Sequence, residues 1–465
     1  MTLEAYLNGL RAVRIAAPSG ADVGTLCADS RAVKPGDTFV AVEGLTVDGH
    51  DFIDRALQNG APLIFSQKPL PDNVPHVQFD NVPIADLAAQ YYGHPARKLT
   101  VTGVTGTNGK TTVTHILHGV LNRAGIRAGL IGTNTSARTT PDALELQALL
   151  ADMVKDGKTH CVMEVSSHAL ELGRVGNLRF KAAAFTNLTR DHLDFHKDME
   201  GYYAAKRKLF DIADAAVVNI SDPYGARLSS EIACVTFSAH QNAELSAKDV
   251  ELLPGSVKFT AVYGGQQARV TWAAPGRFSV GNALAAIGCG LALGLGLDEQ
   301  ANLISQEPPV KGRMETVPYP GGFTVLIDYA HTPDALKNAL TAVRGFTEGK
   351  LITVFGCGGD RDREKRPLMG AVATELSDYA IVTSDNPRNE QPDDIINDII
   401  SGCKGQLHYT VEPDRRRAIG MAVDRAKPGD AVLLCGKGHE TYQEIAGVKY
   451  PMDEREIVKE FAGRG

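Results

Sequence analysis

The sequence predicts an α/β protein of three domains, and three observations carry that prediction. The chain has 465 residues, a length that suggests about three domains at roughly 150 residues each. From Leu99 onward apolar strands alternate with helical stretches, the pattern of a parallel sheet with crossover helices. A second alternation begins near Phe323, so two parallel sheets are expected behind a smaller N-terminal segment. Hydrophobic residues at 43% and charged residues at 22% are ordinary globular usage, which disfavours a disordered, collagen-like or rod-like chain.

In the first segment, 1–97, short apolar runs at 37–42 and 62–65 are separated by turn residues, as in a small mixed α/β domain. His94-Pro-Ala-Arg97 reads as a linker. The second segment, 98–312, opens with a strand reaching Val104, a glycine loop, a helix over about 110–124 and a strand at 128–132. Buried-strand patterns at 161–165, 182–186 and 215–219 continue it. The third segment, 313–465, places strands at 323–328, 351–355, 379–384 and 431–435, with helical stretches between. Residues 308–313 read as a hinge.

Lys and Arg number 48 against 55 Asp and Glu, a net charge of −7, which argues against broad binding to nucleic acid or anionic lipid. A local basic site stays open. Seven scattered cysteines lack the short spacing of a zinc or redox motif and read as reduced thiols. The start, Met-Thr-Leu-Glu-Ala-Tyr, has no basic region followed by an apolar stretch, and the run 283–297 is too short and glycine-rich for a membrane span. A cytoplasmic protein is expected, with no membrane span and no nucleic-acid partner.

Gly106-Thr-Asn-Gly-Lys-Thr-Thr112 follows a predicted strand and opens a predicted helix, the context of a phosphate-binding loop. Glycines let backbone N–H groups approach phosphate, the helix N-terminus favours an anion, Lys110 supplies charge and Thr111 can reach magnesium. Residue 104 is valine where the common eight-residue pattern has its first glycine; a glycine-rich turn before a lysine-capped helix is the plain alternative. Magnesium on a nucleotide takes only one or two carboxylates. Glu164 ends a predicted strand, at the edge where parallel sheets place ligands, and His192 lies just past another. For Glu164 alone, a solvated strand terminus is an equal reading.

Together, Gly106 to Thr112, Glu164-Val-Ser-Ser-His168, the segment 187–194, Tyr203-Ala-Ala-Lys206 and Asp328-Tyr-Ala-His-Thr-Pro333 resemble the Mur ligases, ATP-dependent amide-forming enzymes of peptidoglycan precursor synthesis. The resemblance spans essentially the whole chain. It implies a central P-loop ATPase-like domain, a Rossmann-like C-terminal domain, and ATP and Mg2+ as cofactors. ATP contacts would come from Gly106, Thr107, Asn108, Gly109, Lys110, Thr111, Thr112, Asn282, Arg313, Asp328 and His331, and the catalytic set would be Lys110, Glu164, His192 and Lys206. Thr111, Glu164, His192 and a carbamylated Lys206 would hold the metal. The modification turns a cation that would repel magnesium into a carboxylate-like ligand. Without the resemblance, Lys206-Arg-Lys208 reads as an exposed basic helix face and His331 as a structural strand-end histidine.

Asp29-Ser-Arg31, Gly36-Asp37 and Asp48-Gly49 resemble the family's uridine-binding N-terminal domain. There Ser30, Leu45, Thr46 and Val47 would contact the nucleoside, while Thr139, Thr140, Ser166 and Arg174 would hold the UDP-sugar. Leu172 and Arg138 depart from the glutamine and asparagine that some members carry.

Asp385-Asn-Pro-Arg388 follows a predicted strand; Pro387 stiffens the turn, and Arg388 offers a planar fork suited to a carboxylate. The resemblance is to ligases selecting meso-diaminopimelate, with a site of Arg361, Asp385, Asn386, Pro387, Arg388, Gly436 and Glu440, where Glu440 meets an ammonium. The alternative is that Arg388 pairs with Glu390 or Asp385 in an exposed loop. The implied activity of a monomer is addition of meso-2,6-diaminopimelate to the D-Glu γ-carboxylate of UDP-N-acetylmuramoyl-L-Ala-D-Glu, through an acyl phosphate. Competing readings are ligation of L-lysine, D-Ala-D-Ala or glutamate, and a non-catalytic nucleotide-binding regulator. Arg388 with Arg361 argues against D-Ala-D-Ala and glutamate; intact Lys110, Glu164, His192 and Lys206 argue against the regulator.

Overall fold

The computed structural model describes residues 1–44, 47–81, 83–136, 138–405 and 408–463. The chain divides into two compact units, Met1–Thr102 with Arg127–Phe180, and Gly103–Ile126 with Lys181–Gly465.

In the first unit five strands lie in the order Arg14–Ala16, His76–Gln78, Leu63–Ser66, Thr38–Ala41, Leu26–Cys27, parallel except for the first pair. Successive side chains point to opposite faces, and both faces are covered. Val40, Leu63 and Phe65 join one core with Tyr6 and Leu87, while Phe39, Ala41 and Ile64 join another with Ile53 and Ala56. Burial on both sides explains apolar runs without alternation. The unit also holds the parallel pair Ala128–Ile131 and His160–Glu164 and the helix Ala143–Lys155. The expected linker at 94–97 is corrected to an ordered turn. His94 is left-handed at φ 52°, and Pro95–Lys98 winds one 3-10 turn against Ala143–Lys155. Pro95 is buried and presets the turn's φ.

In the second unit, strands Ala182–Phe185, Ala216–Asn219, Val235–Ser238 and Leu245–Leu253 pair in parallel in that order. Ser256–Tyr263 and Gln266–Trp272 extend the sheet antiparallel. Sequence reasoning placed no strand between 219 and 323, because these outer strands bury only alternate residues, such as Val257, Phe259 and Ala261. Helix Arg277–Ala292 packs on the sheet. A Cβ at Gly288 would lie 2.5 Å from Val217 Cγ1, and one at Gly290 2.0 Å from Gln300 Oε1. This close approach accounts for two of the glycines that interrupt the 283–297 run, Gly288 and Gly290.

The C-terminal sheet has the order Glu315–Val317, Thr324–Asp328, Ala431–Cys435, Leu351–Phe355, Tyr379–Val382, Tyr409–Val411, parallel except for the first pair. Leu326 and Leu433 face helices Pro333–Arg344, Lys365–Leu376 and Pro392–Ile400, while Val325, Ile327 and Val432 face Arg415–Arg425 and Glu454–Ala462. Parallel strands bring Asp328, Cys435, Phe355 and Val382 to one carboxyl edge, where such sheets bind ligands. Hairpin Tyr442–Ile445 and Val448–Pro451 follows. No helix among the described residues is long and apolar enough to cross a membrane, and all seven cysteines are free.

Candidate active site

Gly106 and Gly109 take φ values of 144° and 90°, and a Cβ at Gly106 would lie 1.9 Å from Thr186 Oγ1. Only glycine fits there. The segment after Ala182–Phe185 braces the loop: the Asn108 N–H donates to Asn187 Oδ1 at 2.9 Å, Thr186 Oγ1 donates to Asn108 O at 2.6 Å, and the Thr107 N–H donates to Asn187 O at 2.8 Å. Helix Lys110–Arg123 starts with no side-chain cap. Lys110 curls over the loop, its Nζ donating to Gly106 O and Thr107 O at 2.8 Å each.

Lys206, on helix Met199–Asp211, is 1% exposed, and its Nζ donates to the same Gly106 carbonyl at 2.8 Å. The exposed basic face expected of 206–208 is therefore corrected for Lys206. Helical spacing puts it on one buried stripe with Tyr202, Tyr203, Leu209 and Phe210. Burial, reinforced by Lys110 and opposed by Asp191, pushes its amine well below the ordinary lysine range. His192 is left-handed at φ 53°, with Nε2 3.4 Å from Asp191 Oδ2. Asp191 itself escaped sequence reasoning, although the Asp-His pair was its signal. Burial raises its carboxyl, but His192, His331 and Lys365 outweigh this and hold it below the usual carboxylate range. Thr111 Oγ1 accepts from Arg313 Nη2 at 2.9 Å. Among the described residues no three His, Cys, Asp or Glu side chains cluster as metal donors.

Beside the loop lies a cavity of about 120 Å³. Of the expected ATP residues, Asn108, Gly109, Thr112, Asn282, Arg313, Asp328 and His331 line it, while Gly106, Thr107, Lys110 and Thr111 form the adjoining loop. Phe278, Tyr329 and Asn338 also line it and were given no role from the sequence, although Tyr329 lies within the 328–333 motif. The Arg313 guanidinium stacks 4.5 Å from the Tyr329 ring centre. Asp328 accepts from the N–H groups of Met314 and Ala330 at 2.8 and 2.9 Å, and burial raises its carboxyl. Burial drives the His331 ring down to about 4, and its Nδ1 lies 2.9 Å from Tyr329 O. A neutral imidazole beside a carbonyl carries its proton on that nitrogen, which leaves Nε2 as an acceptor.

In the first unit, Thr133, Thr139, Thr140, Glu164, Ser166 and Arg174 form a single cluster. Glu164 is 1% exposed, so it is not a solvated terminus; it accepts from the Thr133 N–H at 2.8 Å and from Thr133 Oγ1 at 3.3 Å. Thr133 Oγ1 lies 3.2 Å from Thr139 Oγ1. Thr140 Oγ1 donates to Glu164 O and accepts from the Ser166 N–H, both at 2.9 Å, and Arg174 Nη1 donates to Thr140 O at 3.1 Å. Ser30 is buried in a turn where Asn59 Nδ2 donates to its carbonyl at 2.8 Å, and Val47 is exposed. Leu45 and Thr46 lie outside the described residues.

At the carboxyl edge of the C-terminal sheet, Asp385 and Asn386 are buried. Asn386 Oδ1 accepts from Lys437 Nζ at 2.7 Å and from the Glu444 N–H at 2.9 Å, while its Nδ2 donates to Glu440 Oε2 at 2.8 Å. Pro387 is followed by Arg388 in a left-handed conformation, φ 51°. Arg388 Nη1 donates to Gly359 O at 2.7 Å, and its Nε is 3.4 Å from Glu444 Oε2. The pairing with Glu390 or Asp385 does not form. Glu390 is taken by buried Arg366 through bonds of 2.9 and 2.7 Å, and Asp385 lies 3.9 Å from Arg415. A Cβ on Gly358 would meet Arg388 Nη1 at 2.9 Å and Arg361 Cγ at 3.8 Å, so both arginines flank one glycine. A Cβ on Gly436 would lie 2.4 Å from Asp385 Oδ2. Lys437 and Glu444 are not found by sequence reasoning, because a lysine between two glycines looks like an exposed turn.

Comparison with known proteins gives matches along the chain. The Mur ligase middle domain matches residues 104–290, the Mur ligase glutamate ligase domain residues 312–438, and the Mur ligase family catalytic domain residues 23–94. The UDP-N-acetylmuramoyl-L-alanyl-D-glutamate–2,6-diaminopimelate ligase of Gloeobacter violaceus is 46% identical over 94% of each chain. That of Clostridium botulinum is 42% identical over 93% of each. A solved ligase of the same name superposes with a TM-score of 0.71 at 31% identity, covering 100% of this chain and 99% of its own. The MurF ligase of Thermotoga maritima, solved in complex with ADP, shares the fold at a TM-score of 0.68 and 21% identity, over 95% of this chain and 97% of its own.

Proposed function

The chain belongs to the Mur ligase family, and from that premise we propose that it joins meso-2,6-diaminopimelate to the D-Glu γ-carboxylate of UDP-N-acetylmuramoyl-L-Ala-D-Glu at the expense of ATP. Segments 1–97, 98–312 and 313–465 take the UDP-sugar, ATP and the amino acid respectively. The observation that carries the substrate choice is the loop 385–388. Arg388 and Arg361 flank Gly358, and two residues before Arg388, Asn386 is bonded to Glu440. An amino acid whose distal end bears both a carboxylate and an ammonium satisfies both groups. Lysine, lacking the distal carboxylate, adds no partner to the Gly359, Glu444 and Asp360 oxygens that the arginines already hold, which discriminates against it.

A carboxylate does not accept an amine without activation. The γ-phosphoryl group moves from ATP to a carboxylate oxygen, leaving ADP; the amine then attacks the acyl carbon, inorganic phosphate leaves and the nitrogen loses a proton. Phosphoryl transfer needs positioning and charge neutralisation more than covalent help. Lys110 in the loop and Arg313 at the cavity supply cations. His331, with Nε2 an acceptor, meets a nucleotide hydroxyl or amino group rather than a phosphate oxygen.

Bound magnesium would screen the phosphoryl charge, with Thr111, His192 and Lys206 of the second unit as its holders. Magnesium prefers oxygen donors, so the Lys206 amine fits only after modification. Burial holds its amine well below the ordinary lysine range, which supports this: the nitrogen lone pair bonds to the carbon of CO2 and a proton is lost, giving a carbamate.

Phosphate release measured with the UDP-dipeptide and each of meso-diaminopimelate, L-lysine, D-Ala-D-Ala and L-glutamate tests the proposal. Release requiring diaminopimelate is expected. Release that needs lysine instead refutes the specificity, and release without any acceptor refutes ligation.

A further inference from the structure

Lys437 is a buried charged side chain that the chemistry above does not use. Its side chain is 0% exposed, and it sits between Ala431–Cys435 and the hairpin strand Tyr442–Ile445. Its Nζ closes a triangle, donating to Asn386 Oδ1 at 2.7 Å and to Glu440 Oε2 at 2.8 Å, while Asn386 Nδ2 donates to Glu440 Oε2 at 2.8 Å. Two donors, Lys437 Nζ and the Glu444 N–H, face Asn386 Oδ1, which fixes the amide so that its NH2 must face Glu440. Glu440 Oε2 therefore already accepts two bonds. Oε1 is the oxygen left for a ligand.

We propose that Lys437 is a positioning residue for amino-acid selection, holding Asn386 and Glu440 so that Glu440 presents one defined oxygen to the incoming amino acid's distal ammonium. This rests on the reading of 385–440 as the amino-acid site. The bonds of Lys437 run to two residues of that site and to none of those assigned to ATP or the UDP-sugar, so its removal acts on one substrate.

The test is Lys437→Met, which keeps the length of the side chain and removes the charge, with Lys437→Gln as a smaller neutral variant should the first fail to fold. Steady-state phosphate release is measured while each substrate is varied. The expected result is a KM for the amino acid raised roughly 10- to 100-fold, as for loss of other supporting contacts, with kcat and the KM values for ATP and the UDP-dipeptide changed by less than about threefold. Lys437→Arg recovers part of the loss. In a Glu440→Gln background, Lys437→Met adds little, because its effect runs through that carboxylate. An unchanged amino-acid KM, a parallel rise of all three KM values, or full additivity with Glu440→Gln would each overturn the proposal. The wild-type acceptor panel decides the diaminopimelate reading by itself. The Lys437 variants are read with whichever amino acid the wild type accepts, so the two failures are separable.

Discussion

Substituting Glu390 by Gln probes how the Arg388 loop is held. The carboxylate accepts from both terminal nitrogens of Arg366, whose side chain is 0% exposed, and from the Asp360 N–H at 2.6 Å. The Arg366 bonds above all hold the Glu390 carboxyl down at about 2, against an ordinary 4.5. At about 1.4 kcal/mol per tenfold, that difference amounts to about 3 kcal/mol at most. The side chain is 23% exposed, and solvent screening reduces the figure to about 2 kcal/mol. Arg366 keeps its 2.9 Å bond to Asp398, so Glu390→Gln should loosen the 385–391 loop without unfolding the sheet. Amide hydrogen exchange at pH 7 is expected to show about 30-fold lower protection in peptides covering 385–391, with the central sheet unchanged. The sign in pH follows from the lowered folded value. The stabilisation is complete above about 4.5 and is lost as pH falls toward 2, so the difference between wild type and variant shrinks from pH 5 to pH 3. Equal protection of the loop in both proteins at pH 7 would refute the reasoning.

Gly106→Ala places a methyl 1.9 Å from Thr186 Oγ1 at φ 144°, and calorimetric titration should show ATP affinity weakened by at least about tenfold from this backbone strain; wild-type affinity would count against the loop assignment. His331 stays neutral when folded down to about 4 but protonates near 6.5 when unfolded, so folding stability falls as pH drops from 6.5 to 4. His331→Asn should flatten that fall, read as the shift in urea midpoint between pH 7 and pH 5. An equal shift in both proteins would sink the burial argument.

Fully buried parallel strands were readable in the sequence because burial on both faces makes them continuous apolar runs. Leu351–Phe355 and Ala431–Cys435 fall where the pattern put them. Ser256–Tyr263 and Gln266–Trp272 were not, since one face of each is covered less and the apolar residues alternate. The phosphate loop was legible for a local reason: glycines, lysine and helix start are contiguous. Lys206 was not legible as a buried residue, because its stripe is buried by a loop 100 residues away. Asp191 and Lys437 share that difficulty. Their roles depend on partners such as His331 and Asn386 that only the tertiary fold brings near.

Burial alone does not set the part a lysine plays; its partners do. Lys206 and Lys437 are both enclosed, yet Lys206 faces a carbonyl and a second lysine, whereas Lys437 faces a carboxylate and an amide oxygen. In the first setting the charged form has lost water and gained repulsion, which lowers the amine below the ordinary lysine range. In the second, Glu440 and Asn386 supply an ion pair and a hydrogen bond in place of lost hydration. The contrast bears on selectivity. Because one oxygen of Glu440 is already committed to Lys437 and Asn386, the incoming ammonium finds a single acceptor there. On the proposed assignment that contact would give orientation more than discrimination, and the choice against lysine would come from a distal carboxylate meeting Arg388 and Arg361.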